Sequence, residues 1–352
     1  MIIPIGRLCK FRQCLPVACV LPFHLFRASS GLMAMASSSS VCASNMQDDD
    51  KKPGASYYST RPLSKYFGME VLGVDMSQVD LGDQQLIQQI KNDLVQHRAL
   101  LFRNQSLAGE RQVEISRALG RVESTFYKHP RSPHPDIFRV SNDEAEGCRN
   151  VGRSGYHVDG TFMMTPFQYQ TMFFPSVAEG ADTIFIPLKE LYESVPKETQ
   201  QRWNRLWMVT GRNQAPIHPL VYQHPTRKDT TMVFHCGEPF VQAWFLEAEK
   251  DSTESAAQEE EGMVIEKRLP PYLVQEELTN AIESRLDQIG MRMQWQTGDF
   301  LICDNLALAH YATEGTQGDV SDIGLRILHR TTIMGGDDTV PRKADGRSSF
   351  VI

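Results

Sequence analysis

A mainly β fold with flanking helices (α+β), of the sandwich or jelly-roll kind, is predicted by three observations. Short runs of β-branched and aromatic residues bounded by turn residues recur along the chain: "DIFRVS" (136–141), "YQTMFF" (169–174), "DTIFIPL" (182–188), "TMVFHC" (231–236), "DFLICD" (299–304) and "LRILHRTTIM" (325–334). Helical spacing is concentrated before residue 135 and at 188–208 and 273–289. Strand and helix do not alternate as a doubly wound parallel sheet requires.

Taken in order, the first 47 residues stand apart. They carry Arg7, Lys10, Arg12 and Arg27, no acid before Asp48, a serine run at 37–40 and one apolar stretch, Leu15 to Phe26. Cationic, acid-free composition resembles an organelle-targeting peptide of a mitochondrion or plastid, with a secretory signal or a disordered leader as the alternatives. The stretch is too short to span a bilayer. Residues 1–55 are therefore set aside as a leader, which would be cytoplasmic if it carries no address.

The folded part is expected over 56–340. "LGDQQLIQQIKNDLVQH" (81–97) places Leu86, Ile87, Ile90 and Leu94 on one helical face, and "RALLFRNQSL" (98–107) follows as an apolar strand with a polar turn. "GERQVEISRALGRV" (109–122) repeats the helical spacing and ends on a glycine. The segment "KDSTESAAQEEEG" (250–262) is polar, acidic and of low complexity, and is expected as a solvated loop insertion. Residues 341–352 are expected as a C-terminal tail.

Composition narrows the function. At 352 residues, 41% apolar and 22% charged, the chain can bury a full core. A formal charge of -7 without a Lys/Arg block in the body gives no footprint for nucleic acid, and nothing in that body is built for a membrane. The seven cysteines (9, 14, 19, 42, 148, 236 and 303) include no C-x-x-C pair, so neither a zinc ribbon nor a disulfide framework is expected. A small-molecule substrate is the class that remains, with homo-oligomerisation left open.

"GYHVDGTF" (155–162) carries the chemistry. On a strand, residues i and i+2 share a face, so His157 and Asp159 present an imidazole and a carboxylate side by side. Alone, the pair is equally an ordinary strand edge. His310, in "GDFLICDNLALAHYAT", supplies the second histidine of a two-His, one-carboxylate facial triad, although His129, His134, His218, His235 and His329 compete for that role. Arg326 and Arg330 lie four apart on the last strand and share a face, where an arginine can hold a carboxylate bidentately.

These segments together resemble the taurine dioxygenase (TauD/TfdA) family of Fe(II)- and 2-oxoglutarate-dependent dioxygenases, over about Tyr57 to Gly335. The resemblance runs in one order through "LSKYFGMEVLGVDMS", "HRALLFRNQ", "YHVDGTF", "GADTIFIPL", "HPLVYQHPTRKDTTMVFH", "WQTGDFLICDNLALAHYAT" and "LRILHRTTIMG". It implies a double-stranded β-helix, a cupin-like jelly roll. It implies His157, Asp159 and His310 as iron ligands, Thr183 and Arg326 as holders of the 2-oxoglutarate distal carboxylate, and O2 as cosubstrate. Oxidative decarboxylation to succinate and CO2 would drive C–H oxidation of a small, anionic metabolite by hydroxylation, desaturation or ring closure.

Substrate residues are less constrained. Arg330 corresponds to the arginine that grips the sulfonate in taurine-using members. The rest of that pocket is absent: "STFYKHPRSPHP" (124–135) replaces the family's His-Pro-Val-Tyr segment, and Arg153-Ser154-Gly155 stands where an asparagine is expected. Tyr127, Asn142 and Arg153 are candidates for a different pocket, with Phe162, Phe240 and Trp244 as its apolar wall. A non-catalytic cupin-type metal-binding protein and an oxygenase acting on a peptide are the alternative readings.

Overall fold

The protein is described from a computed structural model covering residues 56–123, 128–211, 216–237, 240–249 and 265–351. The leader, Tyr127 and the acidic segment 250–262 lie outside the described residues. From residue 54 onward the chain forms one compact unit. No helix among the described residues is long and apolar enough to cross a membrane.

Strands β1 (Ser59–Pro62) and β2 (Met69–Leu72) lead into helix α1 (Gln84–His97), β3 (Ala99–Phe102) and α2 (Gly109–Leu119). Then come β4 (Val122–Glu123), β5 (Phe138–Ser141), the long β6 (Phe167–Ser176), β7 (Thr183–Pro187), α3 (Leu188–Ser194) and α4 (Lys197–Asn204). The chain continues through β8 (Leu206–Thr210), β9 (Ile217–Pro219), β10 (Val221–Gln223), β11 (Thr230–Met232), β12 (Val241–Glu247) and β13 (Ile265–Leu269). It ends with α5 (Pro271–Glu283), α6 (Leu286–Ile289), β14 (Met291–Met293), β15 (Phe300–Asp304), β16 (Leu308–Ala312) and β17 (Ile327–Met334).

The main sheet runs β1-β2-β3-β15-β6-β17-β4, with β5 also on β17, and only β2/β3 is parallel. A second layer, β14-β7-β16, extends from β16 through a bridge between His310 and His157, and from His157 to His235. Alternation sorts the side chains into three cores. On β15, Phe300 and Ile302 face Leu86, Ile90 and Leu94 of α1, whereas Leu301 and Cys303 face Phe185 of β7 and Leu308 of β16 between the layers. The opposite face of the second layer, with Ile184, Ile186 and Ala309, packs against Trp203, Met208, Trp244 and Val274. This is the jelly roll, with helices outside both sheets.

The helices follow their sequence signals. Asp83 caps α1 by accepting the N–H groups of Gln85 (3.0 Å) and Leu86 (3.1 Å), and the buried face is Leu86, Ile87, Ile90 and Leu94, as the spacing predicts. Three expectations change. The helix over 188–208 ends at Asn204, because the buried, β-favouring Leu206-Trp207-Met208-Val209-Thr210 pairs with β12 and β9 instead. The strand over 231–236 is interrupted after Met232 and resumes only as the bridge at His235. Residues 341–351 are not a loose tail: Phe350 exchanges backbone hydrogen bonds with Ile217 (2.7 and 3.2 Å), and its ring meets Trp207 edge-on.

His218 joins these parts. Its Nε2–H donates to the Thr161 carbonyl (2.9 Å), and its Nδ1 meets the Ser349 hydroxyl (2.7 Å), contacts that a neutral ring satisfies. Burial pushes its pKa down from 6.5 to about 4. Below 6.5 the unfolded chain takes a proton that the folded one refuses, so stability falls as pH drops from 6.5 towards 4, by about 1.4 kcal/mol per pH unit for each such histidine. Thermal melts of metal-free protein across that window are expected to show this loss, and His218→Gln, which keeps one donor and one acceptor, is expected to flatten it.

Candidate metal centre and active-site cavity

His157 lies on extended backbone between two neighbours. Its N–H and C=O exchange hydrogen bonds with His310 (3.1 and 3.0 Å), which sets the two rings side by side with centroids 4.4 Å apart. The expected strand over 155–162 is reduced to this bridge, and Asp159, in the turn two residues on, still brings its carboxylate to the two rings. His157 Nε2 is 3.9 Å from Asp159 Oδ1, and His310 Nε2 is 3.5 Å from Asp159 Oδ2. All three donor atoms fall within 4.8 Å of one another. Two imidazoles and a carboxylate on one face are the donor set that leaves cis positions open on Fe(II).

The charge states suit that role. Burial pushes His310 down to about 3, aided by His157 and Arg330 and opposed by Asp159; burial also lowers His157. Both rings are neutral at physiological pH, with lone pairs available. Burial alone would raise the Asp159 carboxyl, but Arg330 and the imidazoles around it hold it below the usual carboxylate range. The His157 tautomer is fixed: Nδ1–H donates to the Gly155 carbonyl (2.8 Å), which leaves Nε2 for the metal. Gly155 has φ +118°, and a Cβ there would press on the Cys236 backbone at 3.0 Å, so this carbonyl is offered by a residue that must be glycine. His310 Nδ1 has no such partner among the described residues.

Asn305 completes the mounting of Asp159. Its side-chain oxygen accepts the Asp159 N–H (2.9 Å), and its NH2 donates to the Asp159 carbonyl (3.0 Å) and the Phe167 carbonyl (2.6 Å). A fully buried amide thus takes the place of a paired strand at the ligand. The sequence analysis passed over it; its only signal is an asparagine at the turn between β15 and β16, the strand that carries His310.

Arg330 Nη1 donates to Asp159 Oδ2 at 2.7 Å, and its guanidinium lies over the Phe138 ring at 5.1 Å. The arginine lines a cavity of about 250 Å³ with His157, Asp159, Phe162, His235 and Phe240. Phe162 and Phe240 are therefore wall residues, as expected. Trp244 is not: it is fully buried in the core behind the second layer, because β12 turns that side chain away from the cavity. Asn142 and Arg153 do not line the cavity either. Asn142 is saturated by backbone, donating to the Gly318 (3.0 Å) and Gly324 (2.9 Å) carbonyls and accepting the Arg326 N–H (2.8 Å), so it braces the strand that carries Arg326. In the loop around Arg153 it is Gly152 and Ser154 that face the cavity.

Thr183 and Arg326 belong to one buried cluster. Trp295 Nε1–H donates to Thr183 Oγ1 (3.0 Å), Trp295 stacks on Phe174 at 4.1 Å, and the Arg326 guanidinium lies 5.4 Å from that Phe174 ring. Arg326 is 2% exposed and has no carboxylate partner among the described residues. Burial lowers its pKa from 12.5 to about 10, which still leaves it charged. A buried cation without a counter-ion is costly, and no carboxylate among the described residues offsets this one.

A jelly roll with a His-Asp-His facial site beside a buried arginine defines an Fe(II)- and 2-oxoglutarate-dependent dioxygenase. The profile of the taurine catabolism dioxygenase TauD, TfdA family matches residues 59–332, and the chain belongs to that family. It is 26% identical over 313 residues to the alpha-ketoglutarate-dependent sulfate ester dioxygenase of Pseudomonas putida, covering 84% of this chain and 95% of that protein. It is 25% identical over 324 residues to an alkylsulfatase of Acinetobacter baylyi, covering 82% and 89%. The crystal structure of a taurine dioxygenase from Burkholderia xenovorans superposes with a TM-score of 0.62 at 23% identity, covering 84% and 96%, and shares the fold.

Asn305→Ala is expected to lower Fe(II) affinity by roughly 10–100-fold while the protein still folds, since it loosens the carboxylate ligand without removing it. Anaerobic metal titration checks this; unchanged affinity would mean that the backbone of Asp159 is held by other contacts.

Proposed function

We propose that the enzyme oxidises a C–H bond of a small metabolite bearing one anionic group, a sulfate ester, sulfonate or carboxylate. The observation that carries this reading is Arg330, a cation on the wall of a small cavity that opens on His157 and Asp159 of the triad. At about 250 Å³ the cavity lies just below the roughly 300–1,000 Å³ usual for ligand sites, and this suits a small metabolite better than a peptide. The sulfate ester dioxygenase and the alkylsulfatase among the relatives support the same substrate class.

In this reading His157, Asp159 and His310 hold the iron, and Arg326 with the Thr183 hydroxyl holds the distal carboxylate of 2-oxoglutarate. Bound iron, 2-oxoglutarate and O2 supply the oxidising chemistry, with succinate and CO2 as coproducts. The chain's own work is placement. Arg330 has two tasks: one N–H steadies Asp159, and the rest of the guanidinium faces the cavity, where it can orient an acidic head group. Phe162 and Phe240 exclude water from the reacting carbon.

The test is succinate formation from 2-oxoglutarate by Fe(II)-loaded enzyme across alkyl sulfates, alkanesulfonates and carboxylates. Stimulation by one anionic class, absent with matched neutral compounds, is expected. Arg326→Ala is expected to raise the 2-oxoglutarate requirement at least tenfold, the loss of a charge-assisted pair. Full 2-oxoglutarate affinity in that variant would contradict the assignment, and iron binding without succinate under any condition would favour a non-catalytic metal-binding protein.

A further inference from the structure

We propose that His235 is a substrate-contacting residue that presents a fixed N–H donor to the anionic group of the substrate, beside the metal ligands. The proposal rests on the anionic-substrate reading above and names a second group that recognises the anion. His235 is opposite His157 in the strand pairing, and the flanking hydrogen bonds run from Val158 N–H to Phe234 C=O (3.0 Å) and from Cys236 N–H to Tyr156 C=O (2.9 Å). His157 and His235 are thus a non-hydrogen-bonded pair, the kind whose side chains approach most closely. Their rings stack with centroids 4.7 Å apart and planes 18° from parallel. Phe240 stacks on the other face of His235 at 4.0 Å and 20°. Held between these two rings, the imidazole cannot turn freely.

Its proton position follows from one contact. The Gly237 N–H donates to His235 Nδ1 at 2.9 Å, so Nδ1 is an acceptor and the proton sits on Nε2. Gly237 is held in the turn that makes this contact, because a Cβ there would come within 2.3 Å of Ser154. No acceptor for the Nε2–H is found among the described residues, although the ring is 6% exposed and lines the cavity with Arg330. The ring lies on the cavity wall, so this donor, which meets no acceptor among the described residues, is open to a ligand atom. A sulfate, sulfonate or carboxylate has enough oxygens to accept from Arg330 and from His235 together. The mechanism above uses His235 for nothing else, and Arg330 and His235 are nitrogen donors on a cavity wall whose other polar side chains include Glu123, Asp136 and Thr332.

The test compares His235→Phe, which keeps the stack but has no donor, with His235→Gln, which restores one. Anaerobic calorimetry on Fe(II)- and 2-oxoglutarate-loaded enzyme would use butyl sulfate, propanesulfonate and butyrate as probes. The expected result is a tenfold or greater weakening of the best anionic probe in His235→Phe, recovery of most of it in His235→Gln, and unchanged Fe(II) stoichiometry and 2-oxoglutarate affinity in both. Unchanged probe affinity in His235→Phe overturns the proposal while sparing the anionic-substrate reading. Parallel loss of iron or 2-oxoglutarate binding also overturns it, and makes His235 a brace for His157. If no anionic probe binds the wild type, the substrate reading falls and the proposal falls with it. Imidazole nitrogen NMR of the zinc-loaded, diamagnetic protein reads the tautomer independently of any ligand: Nε2–H is expected, and a proton on Nδ1 overturns the proposal.

Discussion

The half-buried Asp159 carboxylate needs a counter-charge and a fixed backbone, and the architecture around it supplies both. Arg330 approaches one oxygen from the last strand, His157 and His310 flank the carboxylate from their own strands, and Asn305 clamps its backbone. Each of these groups comes from a different part of the chain. The carboxylate therefore acts as a register mark: a one-residue slip in any of these strands would turn a neighbour to the opposite face and leave a buried charge unpaired.

The same register explains how two functions share one strand. On β17 and its leading residue, Arg326 and Arg330 occupy the same side four residues apart, one sunk into the Phe174/Trp295 cluster and the other at the cavity wall. Asn142 fixes the start of that strand by accepting the Arg326 N–H. The second layer sets the histidines in a row, His235, His157 and His310, on three adjacent chain segments. Of the three, His310 and His157 close on Asp159, while His235 is left outside the triad with its ring held and a proton to donate.

Much of this was legible in the sequence for simple reasons. Spacing two apart brought His157 and Asp159 together, although Asp159 sits in a turn held by Asn305, and strand alternation places Arg326 with Arg330. The α1 face was visible because four apolar side chains at helical spacing interrupt a run of glutamines. What was hidden depends on contacts between distant segments. Trp244 and Phe240 look alike as apolar residues four apart near a strand, and only the register shift between Val241 and Ala243 at the start of β12 lets one enter the core while the other stays at the cavity. Asn142 carries no mark that its amide will be consumed by the Gly318 and Gly324 carbonyls. Leu206–Thr210 follows a helix without a breaker, and it becomes a strand because β12, a segment far along the chain, pairs with it. Asn305 was passed over, and His235 was seen only as a rival to His310, for the same reason: their roles are set by the backbone groups they meet, Asp159 and Gly237, and not by their spacing.

The account stands or falls on whether the triad and the buried arginine act as one site. Anaerobic calorimetry of 2-oxoglutarate with metal-free and Fe(II)-loaded protein measures this most directly. One 2-oxoglutarate per chain that binds tightly only when Fe(II) is present, and that is lost in Asp159→Ala, is the predicted result. Tight binding that is indifferent to Fe(II), or undiminished in Asp159→Ala, would contradict it by separating the anion pocket at Arg326 from the metal.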